Sequence, residues 1–426
     1  MSRRAPTEIG DQSVSVKLYV LTCQERINAG ILDKTLYWLA RTDWGEPPEV
    51  CVQDADVAGD TKYCQTENYR RLLQRIVDQR PNYALILEDD VVPNRHLEYN
   101  VHQWLSEIGD AAIFLGSLYN PNVRPLAETV TLRNGFIADA HSVYGSQAFL
   151  VPLLVARHCL SRWHDVEGLQ DIKLSRHTAR IPSAQILYHR PSLMQHVLSA
   201  ESTHGGSSHW AEDFDPWWRA DDDDGPIAKS WETIPGWFDW PIFYEEMVKT
   251  LPHQSTIVEI GSFLGRSIIH LAQTMKRYRK CLRLVSVDSF IGSESDPMVM
   301  DAVSAHGGSL LAAFKKNLLA CGVADCVEVM INDSITASRH FLNESVDVVF
   351  LDGDHARSSV TADIRAWIPK LKRSGYLAGH DIDTYASVGE GIEDVLGSRA
   401  ILIDHSQNLW QFHNTWENRQ RASLIW

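Results

Sequence analysis

Short apolar runs that end in polar or acidic residues recur along the chain, and each is followed by a stretch whose apolar positions have helical spacing. In the first half VKLYVLTC (16–23), YALILEDDVV (83–92), AAIFLGS (111–117) and GSQAFLVP (145–152) read as strands. In the second half the strands are STIVEIG (255–261), LRLVSVD (282–288), CVEVMIND (326–333), VDVVFLDGD (346–354) and GYLAGHD (375–381). Runs that are apolar at successive positions mark strands buried on both faces, and strand–helix alternation predicts an α/β fold with parallel sheets covered on both sides. The regular pattern breaks at DFDPWWRADDDDGPIAKSWETIPGW (213–237), where four consecutive aspartates and two prolines intervene. Like charges that close stay solvated, so this stretch reads as a linker. The expectation is two tandem α/β domains, residues 15–215 and 236–426, joined by an acidic, Trp-rich linker over 216–235. No internal repeat relates the two halves.

Composition narrows the picture without changing it. A chain of 426 residues with 44% hydrophobic and 22% charged positions has room for two or three globular domains. A net charge of −15, spread over both halves, argues against a partner made of nucleic-acid backbone. The seven cysteines are odd in number and form no CxxC pair, which points to neither a disulfide framework nor a zinc site and suits a reducing, cytoplasmic setting. The N-terminal MSRRAPTEIGDQ lacks a signal-peptide core, and no run of about 18 apolar residues predicts a membrane span. The aromatics between Trp210 and Trp240 suit either a sugar-holding platform or packing.

In open α/β sheets ligands bind outside the carboxyl ends of the strands, so the strand ends name the candidate site. In the second half the first end is VEIGSFLGRS, with Glu259, Gly261, Ser262, Gly265 and Ser267; its glycines allow a tight turn and close backbone approach before a helix. The second ends at Asp288, where a carboxylate can accept ribose hydroxyls, and the third at Asp333 and Ser334, placed for an adenine edge. A nicotinamide dehydrogenase would need the GxGxxG that is absent here. With GWFDWPIFYEEM, VSVDSF and above all FLDGDHARSSVTADIRAWIPKLKRSGYLAGHD, residues 235–415 resemble class I S-adenosylmethionine-dependent methyltransferases of the branch acting on sugars and related small molecules. The resemblance implies that Glu259, Gly261 and Gly265 frame the methionine end of the cofactor, Asp288 holds the ribose and Asp333 faces the adenine. It also implies Asp352, His380 and Asp381 as ligands of a divalent ion such as Mg²⁺, with His355 as general base. His380 stands where relatives often carry a carboxylate, which leaves a metal-free site open.

In the first half YALILEDDVVP delivers Glu88, Asp89 and Asp90 to a strand end, and consecutive carboxylates there call for a cation or solvent. The arrangement resembles the acidic motif of GT-A fold glycosyltransferases, in which Mn²⁺ or Mg²⁺ neutralises the diphosphate of a nucleotide sugar. The resemblance spans about residues 15–215. It implies nucleotide-sugar contacts from Thr22, Arg26, Asp54 and Asp89, metal ligation by Asp90, then Glu88, with His196 reaching back, and diphosphate contacts from Ser202 and Thr203. Asp171 would serve as base, the alternative being a helix cap. A nucleophilic hydrolase lacks support because no GxSxG elbow occurs. The two resemblances together imply a bifunctional enzyme that transfers a sugar from a nucleotide donor and O-methylates a glycan or glycoconjugate hydroxyl. The alternative is a methyltransferase alone, whose first half only binds the sugar acceptor.

Overall fold

The computed structural model describes residues 14–53, 61–109, 111–126, 131–143, 145–197, 210–221, 229–292, 296–397, 401–415 and 417–418. The chain divides into two compact units between Asp222 and Asp223.

The N-terminal unit contains strands β1 (Val16–Cys23), β2 (Glu49–Gln53), β3 (Tyr83–Glu88), β4 (Val91–Pro93), β5 (Phe114–Ser117), β6 (Thr131–Leu132), β7 (Gly135–Ala138), β8 (Ala148–Pro152), β9 (Gln185–His189) and β10 (Met194–His196). Eight of them form one sheet in the order β2-β1-β3-β8-β5-β9-β7-β6, and β4 pairs with β10 in a separate ribbon. The sheet is mixed and not parallel as the alternating pattern predicts: β1 runs parallel to β2 and β3, while β8 is antiparallel to both β3 and β5. Continuous apolar runs such as AFLVP encode burial on both faces but carry no information on strand direction. The centre is dry, with Ala84, Leu85, Ile86 and Leu87 of β3 fully buried. Helix Thr61–Gln79 adds Tyr69, Leu72, Leu73 and Ile76, at helical spacing, to the same core.

The C-terminal unit contains β11 (Thr256–Ile260), β12 (Arg283–Asp288), β13 (Val327–Ile331), β14 (Val346–Leu351), β15 (Leu371–Gly379), β16 (Leu402–Asp404) and β17 (Leu409–His413), in the order β13-β12-β11-β14-β15-β17-β16. The first five are parallel and β17 returns antiparallel to β15. The order reverses at β11, so a crevice opens beside its carboxyl end. Gly265, at φ +94, turns the chain out of β11 into helix Arg266–Arg277, whose Ile268, Ile269, Leu271, Ala272 and Met275 are buried.

The expected linker over 216–235 is not a free segment at either of its described ends. Asn94 donates to the carbonyls of Asp215 (2.7 Å) and Trp218 (2.8 Å), and the Ala220 amide donates to Asn100 Oδ1 (2.8 Å), which ties residues 213–221 to the N-terminal unit. Gln273 likewise holds Lys229 and Trp231 on the C-terminal unit. The tryptophans find partners inside their own units: Trp217 lies under Arg95, and Trp231 packs edge-on against His270. Among the described residues no helix is long and apolar enough to cross a membrane.

Candidate active site at the β11–β15 strand ends

A cavity of about 780 Å³ opens at the carboxyl ends of the parallel strands of the C-terminal unit. Gly261, Ser262, Ser267, Asp288, Asp333 and Ser334 line it together with Asp352, His355, His380 and Asp381. Gly261 is required by its surroundings: at φ +83, a Cβ there would lie 2.0 Å from the carbonyl oxygen of Asp352. Asp288 braces the loop as well as facing the cavity, since Oδ2 accepts from the amides of Ser262 (2.8 Å) and Phe263 (3.0 Å) and Oδ1 from Phe290 (2.6 Å). Asp333 caps helix Ser334–Ser338 through the Thr336 amide (2.8 Å), which holds its carboxyl below the usual range.

Two of the residues expected to touch a cofactor sit behind the wall. Glu259 is fully buried and does not line the cavity; it accepts from Tyr244 Oη (2.6 Å) and Ser262 Oγ (2.8 Å). Burial pushes its carboxyl up to about 7 despite those bonds. Gly265 is also set back, with Phe314 against the place a side chain would take. Both act on the site by shaping the Gly261–Gly265 turn.

Two histidines and two aspartates among the lining residues are linked to one another. His355 Nε2 meets Asp381 Oδ2 at 2.8 Å, and Tyr385 stacks on the imidazole with ring centres 4.3 Å apart. No described residue is hydrogen-bonded to His355 Nδ1. Burial lowers the basicity of His355, but the bond to Asp381 and its charge outweigh that and raise the pKa above the ordinary value. Asp381 adopts φ +65, a conformation uncommon for a residue other than glycine, and its carboxyl is held far below the usual range, burial being outweighed by His355 and His380. His380 Nε2 bonds Asp239 Oδ1 at 2.6 Å, while Nδ1 faces Asp381 Oδ1 at 3.2 Å and Asp352 Oδ1 at 3.6 Å. Burial opposes the charged form of His380, yet Asp352 and Asp381 lift it to about 10. Asp352, His380 and Asp381 each offer a ligand atom within 4.8 Å of the others, so their donors fit a divalent ion.

Sequence reasoning missed Asp239, Tyr244, Asp363 and Tyr385. Asp239 and Tyr244 lie in the quoted GWFDWPIFYEEM segment without a role, and their partners are distant in sequence. Asp363 lines the cavity from helix Arg357–Trp367, with burial raising its carboxyl to about 6.

The N-terminal strand ends assemble differently from the expectation. Arg26 donates through Nε to Asp89 Oδ1 (2.6 Å) and through an Nη to Asp90 Oδ2 (2.5 Å). Thr22 donates to Asp89, and His196 Nε2 lies 3.2 Å from Asp90 Oδ2. Thr22, Arg26, Asp89, Asp90 and His196 are thus brought together. Glu88 turns to Ser146, which also receives a bond from Gln170, and burial followed by the charge of Asp90 raises its carboxyl. Burial would raise Asp90 too, but His196 and Arg26 outweigh it and lower the pKa. Among the described residues Asp352–His380–Asp381 is the one trio of His, Cys, Asp or Glu whose ligand atoms lie within 4.8 Å of one another. In the N-terminal unit Arg26 compensates the paired aspartates. Asp171 accepts from the amides of Gly145 (3.1 Å) and Ile172 (2.8 Å), the engagement of a loop-bracing acid at a helix start. Asp54, Ser202 and Thr203 lie outside the described residues.

Residues 258–382 match the sequence model of a family described as a methyltransferase domain, so the C-terminal unit carries a methyltransferase domain. No curated protein matches the chain. Solved structures similar to part of it include a TDP-rhamnose 3′-O-methyltransferase of calicheamicin biosynthesis, at 16% identity over 41% of this chain and 76% of that one, with a TM-score of 0.29. The O-methyltransferase NovP is 16% identical over 41% of this chain and 79% of that one, TM-score 0.31. An O-methyltransferase from Bacillus cereus in complex with SAH is 15% identical over 42% and 83%, TM-score 0.29.

Proposed function

We propose that the C-terminal unit is an S-adenosylmethionine-dependent O-methyltransferase acting on a hydroxyl of a glycan or glycoconjugate. The observation that carries the reading is one cavity lined both by the Gly261 turn, Asp288 and Asp333 and by the His355–Asp381 pair. When bound, the methyl donor supplies an electrophilic methyl group on sulfur. The Gly261–Ser262 turn frames the methionine end of the donor, Asp288 holds its ribose, and Asp333 and Asp363 bound the adenine, all of them lining the one cavity. His355 takes the acceptor hydroxyl proton at Nδ1, while Asp381 at Nε2 orients the ring and stabilises the imidazolium that results. Tyr385, stacked on the ring, keeps the imidazole from turning away. Alignment of hydroxyl and methyl supplies most of the rate, because the donor is already activated.

For the N-terminal unit the proposal is a nucleotide-sugar site at the ends of β1 and β3, with Thr22, Arg26 and Asp89 nearest the nucleotide, and sugar transfer as its activity. The supporting observation is the gathering of these side chains with Asp90 and His196 at one strand edge. A second reading, in which this unit binds a sugar without transferring it, is favoured by Arg26 standing where a divalent ion would bridge the acids. The test is a thermal-shift series with S-adenosylhomocysteine and with UDP-, GDP-, CMP- and dTDP-sugars, each with and without Mn²⁺, followed by a radiolabelled methyl-transfer assay. Stabilisation by S-adenosylhomocysteine together with a Mn²⁺-dependent shift for one nucleotide family supports both activities. A shift with sugar that ignores Mn²⁺ favours the second reading, and no shift with S-adenosylhomocysteine defeats the methyltransferase proposal.

A further inference from the structure

We propose that Asp239 is a positioning residue that makes Nδ1 of His380 a metal ligand, so that the Asp352–His380–Asp381 centre takes a nitrogen-binding divalent ion of the Co²⁺ and Zn²⁺ kind in preference to Mg²⁺. The inference rests on reading this cavity as the methyl-transfer site and concerns which ion its residues select.

The imidazole of His380 is held in place on several sides. Its Nε2 is tied to Asp239 at 2.6 Å, its ring centre lies 4.4 Å from that of the fully buried Trp240 with the rings tilted by 43°, and Trp240 in turn stacks on Phe350 at 4.9 Å. Asp239 and Trp240 are neighbours in the chain, so one dipeptide sets both the hydrogen bond and the ring plane. A carboxylate accepting from one ring nitrogen fixes the tautomer with the proton there and raises the donor strength of the other, the usual outer-sphere pattern around metal-bound histidine. Nδ1 faces Asp381 Oδ1 (3.2 Å) and Asp352 Oδ1 (3.6 Å), so in the ion-free protein a proton on Nδ1 sits among the carboxylates. A divalent ion takes the place of that proton, while the one on Nε2 stays with Asp239. Asp381 has its other oxygen on His355, so the same carboxylate serves the base and the ion.

The donor chemistry then selects the ion. Mg²⁺ demands oxygen in octahedral geometry and gives up water reluctantly, whereas imidazole nitrogen suits later first-row ions such as Co²⁺ and Zn²⁺. An all-oxygen trio would tolerate Mg²⁺; one buried, oriented nitrogen shifts the balance away from it.

The experiment titrates metal-stripped full-length protein with Co²⁺ and with Mg²⁺ by calorimetry, with the visible absorption of Co²⁺ as a second readout, on the wild type, His380→Asp, Asp239→Ala and Asp239→Asn. The wild type should bind Co²⁺ with an absorption change, and His380→Asp should reduce the ratio of Co²⁺ to Mg²⁺ affinity at least about tenfold. Asp239 is half exposed, so its loss should spare folding, yet Asp239→Ala should weaken Co²⁺ by about ten- to a hundredfold and Asp239→Asn by less. An unchanged ratio in His380→Asp, wild-type Co²⁺ affinity in Asp239→Ala, or no binding of either ion overturns the proposal. S-adenosylhomocysteine binding to the wild type is measured in parallel: its absence defeats the methyl-transfer reading, while the ion titrations judge the metal proposal on their own.

Discussion

Glu259 offers a perturbation whose size follows from its surroundings. Its carboxyl is fully buried beneath the Gly261 turn with two hydroxyl donors, and burial raises its pKa from 4.5 to about 7. A raised acid pKa means that the folded protein keeps the proton over a range in which the unfolded chain has lost it. Stability therefore falls as pH rises from the unfolded value to the folded one, at about 1.4 kcal/mol per pH unit, and levels off above it. The interval is worth about 3 kcal/mol. Glu259→Gln keeps the shape and an acceptor for Tyr244 but removes the titration. The difference in unfolding free energy between variant and wild type should grow in the variant's favour by about 3 kcal/mol between about pH 4.5 and about pH 7, because every other titrating group is common to both. Two units need not unfold together, so the measurement is urea-dependent pulse proteolysis read on peptides from residues 256–277, which report the C-terminal unit. Parallel stability curves for the two proteins across that range would refute the argument, showing that Glu259 is already ionised in the fold.

Other consequences are open to similar tests. His355→Ala should lower methyl transfer by about a hundred- to ten-thousand-fold while S-adenosylhomocysteine still binds by calorimetry. Because a base acts when deprotonated and Asp381 raises the pKa of His355, the wild-type rate should rise with pH through a midpoint above the ordinary histidine value, and Asp381→Asn should move that midpoint down. Gly261→Ala places a Cβ 2.0 Å from the Asp352 carbonyl at φ +83, so calorimetry should find S-adenosylhomocysteine binding lost and denaturant unfolding a stability loss of at least about 3 kcal/mol. Arg26→Ala leaves the buried Asp89 and Asp90 without their shared guanidinium and should cost about 3–5 kcal/mol at neutral pH by urea unfolding, with the deficit shrinking in acid as those carboxyls take up protons.

The parts of the fold that were legible are those where burial writes itself into consecutive residues. The strands β11 to β15 are mainly apolar runs that end in, or are followed within two residues by, an acid or glycine. Strand direction was not legible: β8 is as apolar as β3 and runs against it, because apolar side chains on both faces suit either direction. The short β16, with Leu402 and Ile403 exposed, and the short β10 ribbon have too little pattern to stand out. The bonds that hold the described start of the Trp-rich stretch were not legible because Asn94 and Asn100 lie 124 and 118 residues away from Trp218, and charge repulsion among the aspartates is visible locally whereas those bonds are not.

The two acid-rich strand ends carry this further. Glu88–Asp90 and the Asp352 and Asp381 ends look alike as local sequence, since each is a buried apolar run delivering carboxylates to a sheet edge. What separates them is the group that compensates the charge, and that group comes from far away. In the N-terminal unit it is Arg26, more than 60 residues before the acids, whose guanidinium is always charged and bonds both aspartates, leaving the pair with its countercharge built in. In the C-terminal unit it is a pair of histidines, His355 and His380, which can give up the proton they hold. One of them is then free to act as a base and the other to exchange its proton for a metal ion. The same sequence signal thus leads to a closed ion pair in one unit and to exchangeable protons in the other, and Asp239, 141 residues from His380, decides which way that second imidazole faces.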